Sequence, residues 1–241
     1  MSPSLAAVFA HPDDESRITG GTLALHAARG WRVSLYCATR GEAGDDTLAA
    51  EEVAARRERE LEAACRTLGI GQLCVGRLPD GGLGSVDAEP VVEDVVRHLR
   101  RVRPDVVVTF GPDGRDGHPD HVAIGAIAAL AVDRCGDNDR YPEHLGLGLG
   151  PWSPARLYHV AMPDRAAERF GWPHPTSPED ELVGIDAAEV VDRKLHAVVE
   201  DHASQFRLSP WRLEGPSLKA REVEYFRLVT SSGAPAPDGL L

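Results

Sequence analysis

Through its first 110 residues, the chain alternates short apolar runs with longer amphipathic segments. The apolar runs predict strands at Leu5–Phe9, Arg32–Thr39, Gln72–Leu78 and Asp105–Phe110. The segments between them predict helices at Ile18–Ala28, Ala49–Leu68 and Ala88–Val102. This alternation is typical of an α/β protein, and we expect a Rossmann-like, mostly parallel sheet flanked by helices.

The rest of the chain has a weaker pattern. It predicts a helix at His121–Asp133, a strand at Arg156–Met162 and a last helix at Ala187–Ser204. Residues 135–154 are rich in Gly, Pro, Asp and Asn and are expected to form a loop, and residues 163–181 look irregular. Because no linker divides the chain, we expect one domain over residues 1–230 and a flexible tail over residues 231–241.

Composition narrows the class of protein. Hydrophobic residues make up 42% of the chain and charged residues 27%, as in a folded globular domain. The net charge of −12 opposes binding to nucleic acid, since phosphate contacts need clustered Lys and Arg. No run approaches the roughly 18 apolar residues of a membrane span, and no secretory signal is evident. With four cysteines far apart in sequence, we expect a cytoplasmic protein with reduced thiols.

Two clusters of His and Asp follow the first and fourth predicted strands. The motif His-Pro-Asp-Asp-Glu occupies residues 11–15, and Gly-His-Pro-Asp-His occupies residues 117–121. In doubly wound sheets the strand order 3-2-1-4 is common, so these two strands would be neighbours whose outgoing loops diverge at the switch point. Ligands of such sheets bind there. We therefore expect the two clusters to form one composite site.

The residue types in these clusters suit a hydrolytic metal centre. Such a centre needs about three protein ligands from His and Asp or Glu, with one position open to water. His11, Asp14 and His121 supply such a set. Zinc bound there would lower the pKa of its water toward roughly 7.

Residues beside these ligands suit acid–base chemistry. Asp13 is expected to point away from Asp14 and to act as general base. His118, supported by Asp120, would stabilise an oxyanion or protonate a leaving amine. Together these groups predict metal-assisted hydrolysis of an acyl bond. The alternative left open is that the residues only cap helices and form turns, as Glu15 could do at a helix N-terminus, but this does not account for three histidines.

Several motifs together resemble the LmbE or PIG-L family of zinc-dependent N-deacetylases. They comprise the two clusters, Gly20–Ala24, Thr39–Gly44, Arg57 with Glu60-Leu61 and Leu68-Gly69, Leu78–Gly81, Lys194 and His202–Gln205. The family's members remove acetyl or related acyl groups from N-acetylglucosamine units of glycolipids, thiol-cofactor precursors and glycopeptide antibiotics. The resemblance implies the same fold, and it suggests that His202–Gln205 supports the site from behind.

The resemblance also implies roles for individual residues. By position in the family's motifs, it implies that His11, Asp14 and His121 bind zinc, that Asp13 is the base and that His118 assists the oxyanion or the leaving amine. These are the roles already expected from the chemistry of the residues. It further implies that Arg57 contacts the sugar or its aglycone and that Asp80 accepts sugar hydroxyls. Arg57 could instead be a solvated charge on a helix, and Asp80 a turn residue.

One position departs from the family pattern. Related enzymes often carry Tyr or Arg two residues before the first His of the second cluster, where it can donate to the oxyanion. Asp116 occupies this position, and an ionised carboxylate cannot donate. Either His118 and the metal act alone, or the neighbouring Arg115 turns inward to contact the substrate and supply the donor.

The sequence therefore predicts a zinc hydrolase, with Fe²⁺ as an alternative metal, that removes an acetyl or similar group from an N-acetylglucosamine-type substrate. A second hypothesis is an amidase of the same fold that cleaves a larger amide, such as a thiol conjugate or an acylated glycopeptide. A third, of another class, is a non-catalytic metal-binding or nucleotide-binding module, although the usual glycine-rich phosphate loops are missing from the sequence. The family resemblance also makes a homo-oligomer possible.

Overall fold

Seven strands form one mixed sheet in the part of the chain that the computed structural model describes, residues 2–208 and 222–231. They are β1 (Ser4–Phe9), β2 (Arg32–Thr39), β3 (Gln72–Leu78), β4 (Val106–Phe110), β5 (Arg156–Ala161), β6 (Val183–Asp186) and β7 (Val223–Ser231). Their order across the sheet is β3-β2-β1-β4-β5-β7-β6. The first five strands run parallel, and β7 pairs antiparallel with both β5 and β6. The predicted neighbourhood of β1 and β4 is confirmed, so their outgoing loops emerge side by side.

Helices connect and flank these strands. The α-helices are α1 (Asp14–Ala28), α2 (Ala50–Leu68), α3 (Ala88–Val102), α4 (Pro119–Cys135), α5 (Glu143–Gly146), α6 (Asp164–Phe170), α7 (Val191–His196) and α8 (Ala203–Leu208). A π-helical turn at Ala197–Asp201 joins α7 to the turn before α8. Among the described residues, no helix is long and apolar enough to cross a membrane.

The core lies between the central strands and the helices that cover them. All six residues of β1 and all five of β4 are buried, as expected for strands covered on both faces. Phe9 and Phe110, the last residues of these strands, meet edge to face with ring centroids 5.1 Å apart. This contact fixes the two strand ends from which the site loops depart.

Two helices begin earlier than the apolar pattern predicts. Helix α1 starts at Asp14 rather than Ile18, because acidic residues are favoured in a first turn. Helix α4 starts at Pro119, a residue suited to a first helical position, and His118 caps it by accepting a hydrogen bond from the Asp120 amide. Both clusters therefore lie at helix N-termini.

The second half of the chain differs more from expectation. The predicted helix at Ala187–Ser204 is broken into short 3₁₀, α and π segments, and α6 lies in the stretch expected to be irregular. Strands β6 and β7 were not predicted. Strand β6 has only four residues and is mostly exposed, so it leaves no apolar pattern in the sequence. The predicted domain limits remain a prediction, and the tail beyond Ser231 lies outside the described residues.

Candidate active site

The loops after β1 and β4 bring the two predicted clusters together. Ligand nitrogens of His11, His118 and His121 lie within 4.8 Å of one another. The Asp14 carboxylate lies between two of these rings, with Oδ1 3.3 Å from Nε2 of His121 and Oδ2 3.6 Å from Nδ1 of His11. The three residues predicted to be metal ligands therefore share one small volume, and all three are buried.

The ring nitrogens on the far sides of these histidines face carboxylates. Nε2 of His11 lies 3.1 Å from Asp80 Oδ1 and 3.2 Å from Asp120 Oδ2. Nδ1 of His121 lies 2.9 Å from Asp116 Oδ1. Because ionised carboxylates only accept, these nitrogens carry the protons. With a metal bound in place of the protons on the other two nitrogens, the nitrogens that face Asp14 would act as lone-pair donors, and the carboxylates on the far sides would orient the metal-binding histidines.

Two of these carboxylates make contacts that the sequence analysis did not predict. Asp80 was expected to accept sugar hydroxyls and Asp120 to support His118, but both carboxylates contact the His11 ring. Asp80 also accepts a hydrogen bond from the Ala43 amide at 2.9 Å. The backbone amide of Asp120 donates to Nδ1 of His118 at 3.2 Å. Burial lowers the pKa of His118, and the Asp120 carboxylate acts on that pKa in the opposite direction. The sequence did not reveal that the turn after β3 packs against the start of α4.

Backbone hydrogen bonds fix that packing. The amides of Gly81 and Leu83 donate to the Asp120 carboxylate at 2.7 Å and 2.9 Å. The Asp120 side chain is fully buried, so the turn that carries Asp80 is anchored directly to the N-terminus of α4. The loops that leave β1, β3 and β4 thus converge on His11.

Asp116 has a role that sequence reasoning missed. Its carboxylate holds Nδ1 of His121 and thus explains why an acid stands where related enzymes carry a donor. An inward turn of Arg115 toward the oxyanion was one of the two alternatives for the missing donor, and the Arg115 guanidinium lies over the Trp172 ring, 5.1 Å from the centroid. The five-residue spacing between Asp116 and His121 was the available signal, since it spans the loop that leads into α4.

Asp13 occupies a strained backbone conformation beside the proposed ligands. Its φ of 112° lies in a region that residues other than glycine rarely adopt. Its amide donates to Glu15 Oε2 at 3.1 Å, and its carboxylate contacts Arg57 at 3.3 Å and Arg17 at 3.2 Å. Strain that several contacts maintain is typical of functional positions.

Arg57 was expected to contact a sugar, but the structure buries its side chain against the protein. Its guanidinium donates to the carbonyls of Gly41, at 2.9 Å, and Pro12, and to the Asp13 carboxylate. A Cβ added at Gly41, where φ is 69°, would lie 2.2 Å from Nη1 of Arg57. Glycine is therefore required there so that the arginine can reach the turn after β1.

A buried ion pair supports the same turn from behind, in line with the expected location of His202. Nε2 of His202 lies 2.7 Å from Glu15 Oε1, and both side chains are 1% exposed. Burial opposes the charge on each, but their mutual attraction lowers the pKa of Glu15 and raises the pKa of His202. The pair holds Glu15 where it accepts the Asp13 amide.

The electrostatics of the cluster favour positive charge. Burial opposes protonation of His11, but hydrogen bonds with Asp120, Asp14 and Asp80 raise its pKa to about 12. Burial likewise opposes protonation of His121, but the Asp14 and Asp116 carboxylates raise its pKa to about 9. A divalent cation held by His11, Asp14 and His121 would supply the positive charge that these carboxylates attract and would replace the protons of its ligands. With two imidazoles and one carboxylate, the donor set fits such a metal.

Comparisons with known proteins identify relatives of this chain. The model of the PIG-L family, described as GlcNAc-PI de-N-acetylase, matches residues 6–132. A 1D-myo-inositol 2-acetamido-2-deoxy-alpha-D-glucopyranoside deacetylase of Rhodococcus opacus is 34% identical, over 86% of this chain and 82% of its own length. The enzyme of the same name from Thermobispora bispora is 30% identical, over 95% of this chain and 88% of its own.

Solved structures share the fold. The N,N'-diacetylchitobiose deacetylase of Pyrococcus horikoshii has a TM-score of 0.76 and 25% identity, covering 95% of this chain and 84% of its own. GalB, a 4-carboxy-2-hydroxymuconate hydratase of Pseudomonas putida, has a TM-score of 0.74 and 20% identity, covering 98% and 99%, and shows the fold alone. The family match and the similarity to the named deacetylases show that the chain belongs to the PIG-L family of metal-dependent de-N-acetylases.

Proposed function

We propose that this protein hydrolyses the acetamide of an N-acetylglucosamine-type glycoside to acetate and a free amino sugar. The observation that carries this proposal is the position of Asp14 between two histidines whose far nitrogens are held by carboxylates. This arrangement brings two imidazoles and one carboxylate close together, with Asp13 in the adjacent turn. Such a combination suits metal-assisted amide hydrolysis.

His11, Asp14 and His121 would hold the metal, and their donor atoms suit zinc, with Fe²⁺ as the alternative. When bound, the metal supplies Lewis-acid polarisation of the amide carbonyl and makes water a better nucleophile near neutral pH.

Asp13 acts as general base in this proposal and takes a proton from the attacking water. Arg57 and Arg17 orient its two carboxylate oxygens. Nδ1 of His118 accepts a hydrogen bond from the Asp120 amide. A proton that His118 transfers is therefore carried on Nε2. From there it can be donated to the nitrogen of the breaking C–N bond, which leaves as the amine.

The substrate class follows from the relatives. The named enzymes act on an acetamido-glucopyranoside of inositol, and a structural neighbour acts on diacetylchitobiose. A small amino-sugar glycoside is thus the favoured substrate, and the larger amide remains the alternative. We further propose a cytoplasmic location, supported by the free thiols of Cys37, Cys65, Cys74 and Cys135. The possible homo-oligomer and the expected lack of a nucleic-acid partner stay predictions.

A substrate panel tests this function. Zinc-loaded protein is incubated with the inositol glycoside, diacetylchitobiose and an acylated glycopeptide, and acetate and primary amine are measured. We expect equimolar release of both products from at least one of the two small glycosides. The same panel is run with Asp13→Asn, which lacks the proposed base and should release neither product at the wild-type rate. Asp46→Asn, at an exposed position, is the matched control for loss of a carboxylate and should behave like the wild type. Release from the glycopeptide alone favours the larger-amide alternative, and no release from any of them contradicts the proposal.

A further inference from the structure

The loop between β4 and α4 wraps around the proposed metal ligand His121. Nδ1 of His121 lies 2.9 Å from the Asp116 carboxylate and 3.2 Å from the Gly114 carbonyl. The same Asp116 oxygen, Oδ1, accepts a hydrogen bond from the amide of His118 at 3.1 Å. The conformation of this loop therefore determines where Asp116 lies and how the His121 ring is oriented.

Three residues of this loop have positive φ angles. They are Gly114 at 62°, Arg115 at 66° and Gly117 at 76°. Glycine adopts such angles readily, whereas a residue with a side chain adopts them only at a cost in energy. The Asp113 carboxylate accepts the Arg115 amide at 3.0 Å and thereby supports the turn. Arg115 is thus a strained residue that directly precedes Asp116.

Two aromatic side chains from a distant part of the chain lie against this loop. The Arg115 guanidinium lies over the Trp172 ring, 5.1 Å from its centroid, which is a favourable cation–π contact. The His174 ring contacts the Trp172 ring, with centroids 5.0 Å apart. A Cβ built on Gly117 would lie 3.9 Å from Nδ1 of His174. We call Trp172 and His174 the aromatic clamp.

The segment that carries the aromatic clamp is attached to the sheet. Ser177, which follows the clamp, donates its amide to the Met162 carbonyl at 2.9 Å and accepts the Asp164 amide at 3.0 Å. Pro163 pairs with Ser177 in an isolated β-bridge. Met162 directly follows β5, and β5 pairs with β4. The clamp and the loop that it contacts are therefore carried by neighbouring strands.

We propose that Trp172 is a positioning residue for the metal site and that it acts by holding Arg115 in its strained conformation. This inference rests on the proposed function. The contact over the ring offsets the cost of a positive φ at Arg115, so Asp116 stays where it orients His121. Because a ligand that is already oriented needs less reorganisation, the cation is bound more tightly.

The affinity for Zn²⁺, measured by competition with a chromophoric chelator, tests this role without any need for turnover. Trp172→Leu keeps a large apolar side chain but removes the aromatic face, whereas Trp172→Phe keeps an aromatic face. Loss of a group that directly orients a ligand costs about 10–100-fold in metal affinity, and Trp172 acts through Arg115. We therefore expect the Kd to rise about five- to tenfold in Trp172→Leu and to stay within about twofold of the wild type in Trp172→Phe.

The chain contains a matched control for these variants. Arg103, the C-cap of α3, also has a positive φ, of 50°, and its guanidinium lies 5.6 Å from the centroid of the Trp152 ring. Arg103 and Trp152 precede β4 and β5, so they lie at the edge of the sheet opposite to the site. Trp152→Leu should therefore lower stability but leave the Kd for Zn²⁺ unchanged.

A second pair of variants tests the strain itself. Arg115→Ala and Arg115→Gly remove the same charge and the same contact with Trp172, and they differ only in Cβ. Glycine adopts a φ of 66° without strain, whereas alanine keeps the strain without the clamp. We expect Arg115→Ala to bind Zn²⁺ about five- to tenfold less tightly than Arg115→Gly. Trp172→Leu added to Arg115→Gly should have no further effect, because the strain that Trp172 opposes is then absent.

A wild-type Kd in Trp172→Leu, an equal loss of affinity in Trp152→Leu, or equal Kd values for Arg115→Ala and Arg115→Gly would overturn the inference. If Trp172→Leu does not fold, the Arg115 pair decides on its own. Acetate release from the substrate panel separates this inference from the proposed function. Zn²⁺ affinities in the expected order without acetate release defeat the proposed function alone. Acetate release with equal affinities defeats the role of Trp172 alone.

Discussion

The Arg57 guanidinium lies 3.3 Å from the Asp13 carboxylate, and the two side chains are only 4% and 11% exposed. Arg57 comes from α2, whereas Asp13 lies in the strained turn between β1 and α1. The same guanidinium donates to the carbonyls of Pro12 and Gly41. A helix remote in sequence thus fixes the position of the proposed general base.

This contact predicts that Arg57→Lys impairs catalysis more than substrate binding. A lysine has no planar fork and cannot reach both carbonyls and the carboxylate at once. Displacement of a catalytic group by about 1 Å can cost roughly 10²-fold in rate, so we expect kcat to fall by about that factor with little change in KM. Steady-state kinetics checks this, with the exposed Arg59→Lys as control. A large rise in KM with unchanged kcat would instead assign Arg57 to substrate contact.

Gly41→Ala should have an effect similar to that of Arg57→Lys. The new Cβ would lie 2.2 Å from Nη1 of Arg57 and would force the guanidinium away from the Asp13 turn. Gly30→Ala is the matched control, because Gly30 also has a positive φ, of 81°, but a Cβ there meets no atom within 4 Å. We expect Gly30→Ala to lower stability by about 1 kcal/mol and to retain kcat, whereas Gly41→Ala loses kcat as well. Equal kcat in the two variants would contradict the positioning role of Arg57.

Asp116→Asn should weaken metal binding. The carboxylate lies 2.9 Å from Nδ1 of His121 and fixes the ring's orientation and tautomer. Removal of such a partner typically costs about 10–100-fold in metal affinity, and an amide in its place can also present the wrong hydrogen-bonding group. Competition with a chromophoric chelator measures the affinity, and Asp133→Asn, at an exposed position of α4, the helix that carries His121, is the control. An unchanged metal Kd in Asp116→Asn would exclude this role.

His98 should make stability depend on pH in the acidic range. It is buried, and desolvation, with a smaller effect of Arg101, lowers its pKa to about 4 from an ordinary value of 6.5. The unfolded chain thus takes up a proton near pH 6.5 that the folded protein takes up only near pH 4. Stability from the neutral ring is complete above pH 6.5 and decreases by up to about 3 kcal/mol as the pH falls toward 4.

His98→Leu should remove this component. Urea unfolding at pH 7 and pH 4.5 measures it, and the variant should lose less stability than the wild type between these two values. The exposed His196→Gln should lose as much as the wild type. Parallel losses in the wild type and His98→Leu would show that His98 does not contribute.

Much of this site could be predicted because it depends on local order along the chain. Strand-like runs followed by clusters of His and Asp place chemistry in the loops that leave β1 and β4, and the common strand order makes these strands neighbours. The partners of the histidines are harder to predict. Asp80 reaches His11 from the turn after β3, and Asp116 reaches His121 from an irregular loop. Neither contact can be predicted from the hydrophobic periodicity of the sequence, because both contacts depend on how the loops pack.

The burial of Arg57, a residue of a helix rather than a loop, could not be predicted from the sequence either. An arginine on an amphipathic helix next to Arg56 and Arg59 is read as an exposed charge or a substrate contact, and only the packing of α2 shows that it is buried. The antiparallel strand β7 was missed because its partners, β5 and β6, precede it by long connections, and pairing across such distances leaves little trace in local sequence.

The most direct test of the account is a joint measurement of bound metal and acetate release in Asp13→Asn. Asp13 is assigned to proton transfer and His11, Asp14 and His121 to the metal, so the two functions should separate. We predict wild-type metal content in Asp13→Asn with turnover reduced by about 10²–10⁴-fold, and loss of both metal and turnover in His121→Ala. Wild-type turnover in Asp13→Asn, or full metal content in His121→Ala, would contradict the central claim.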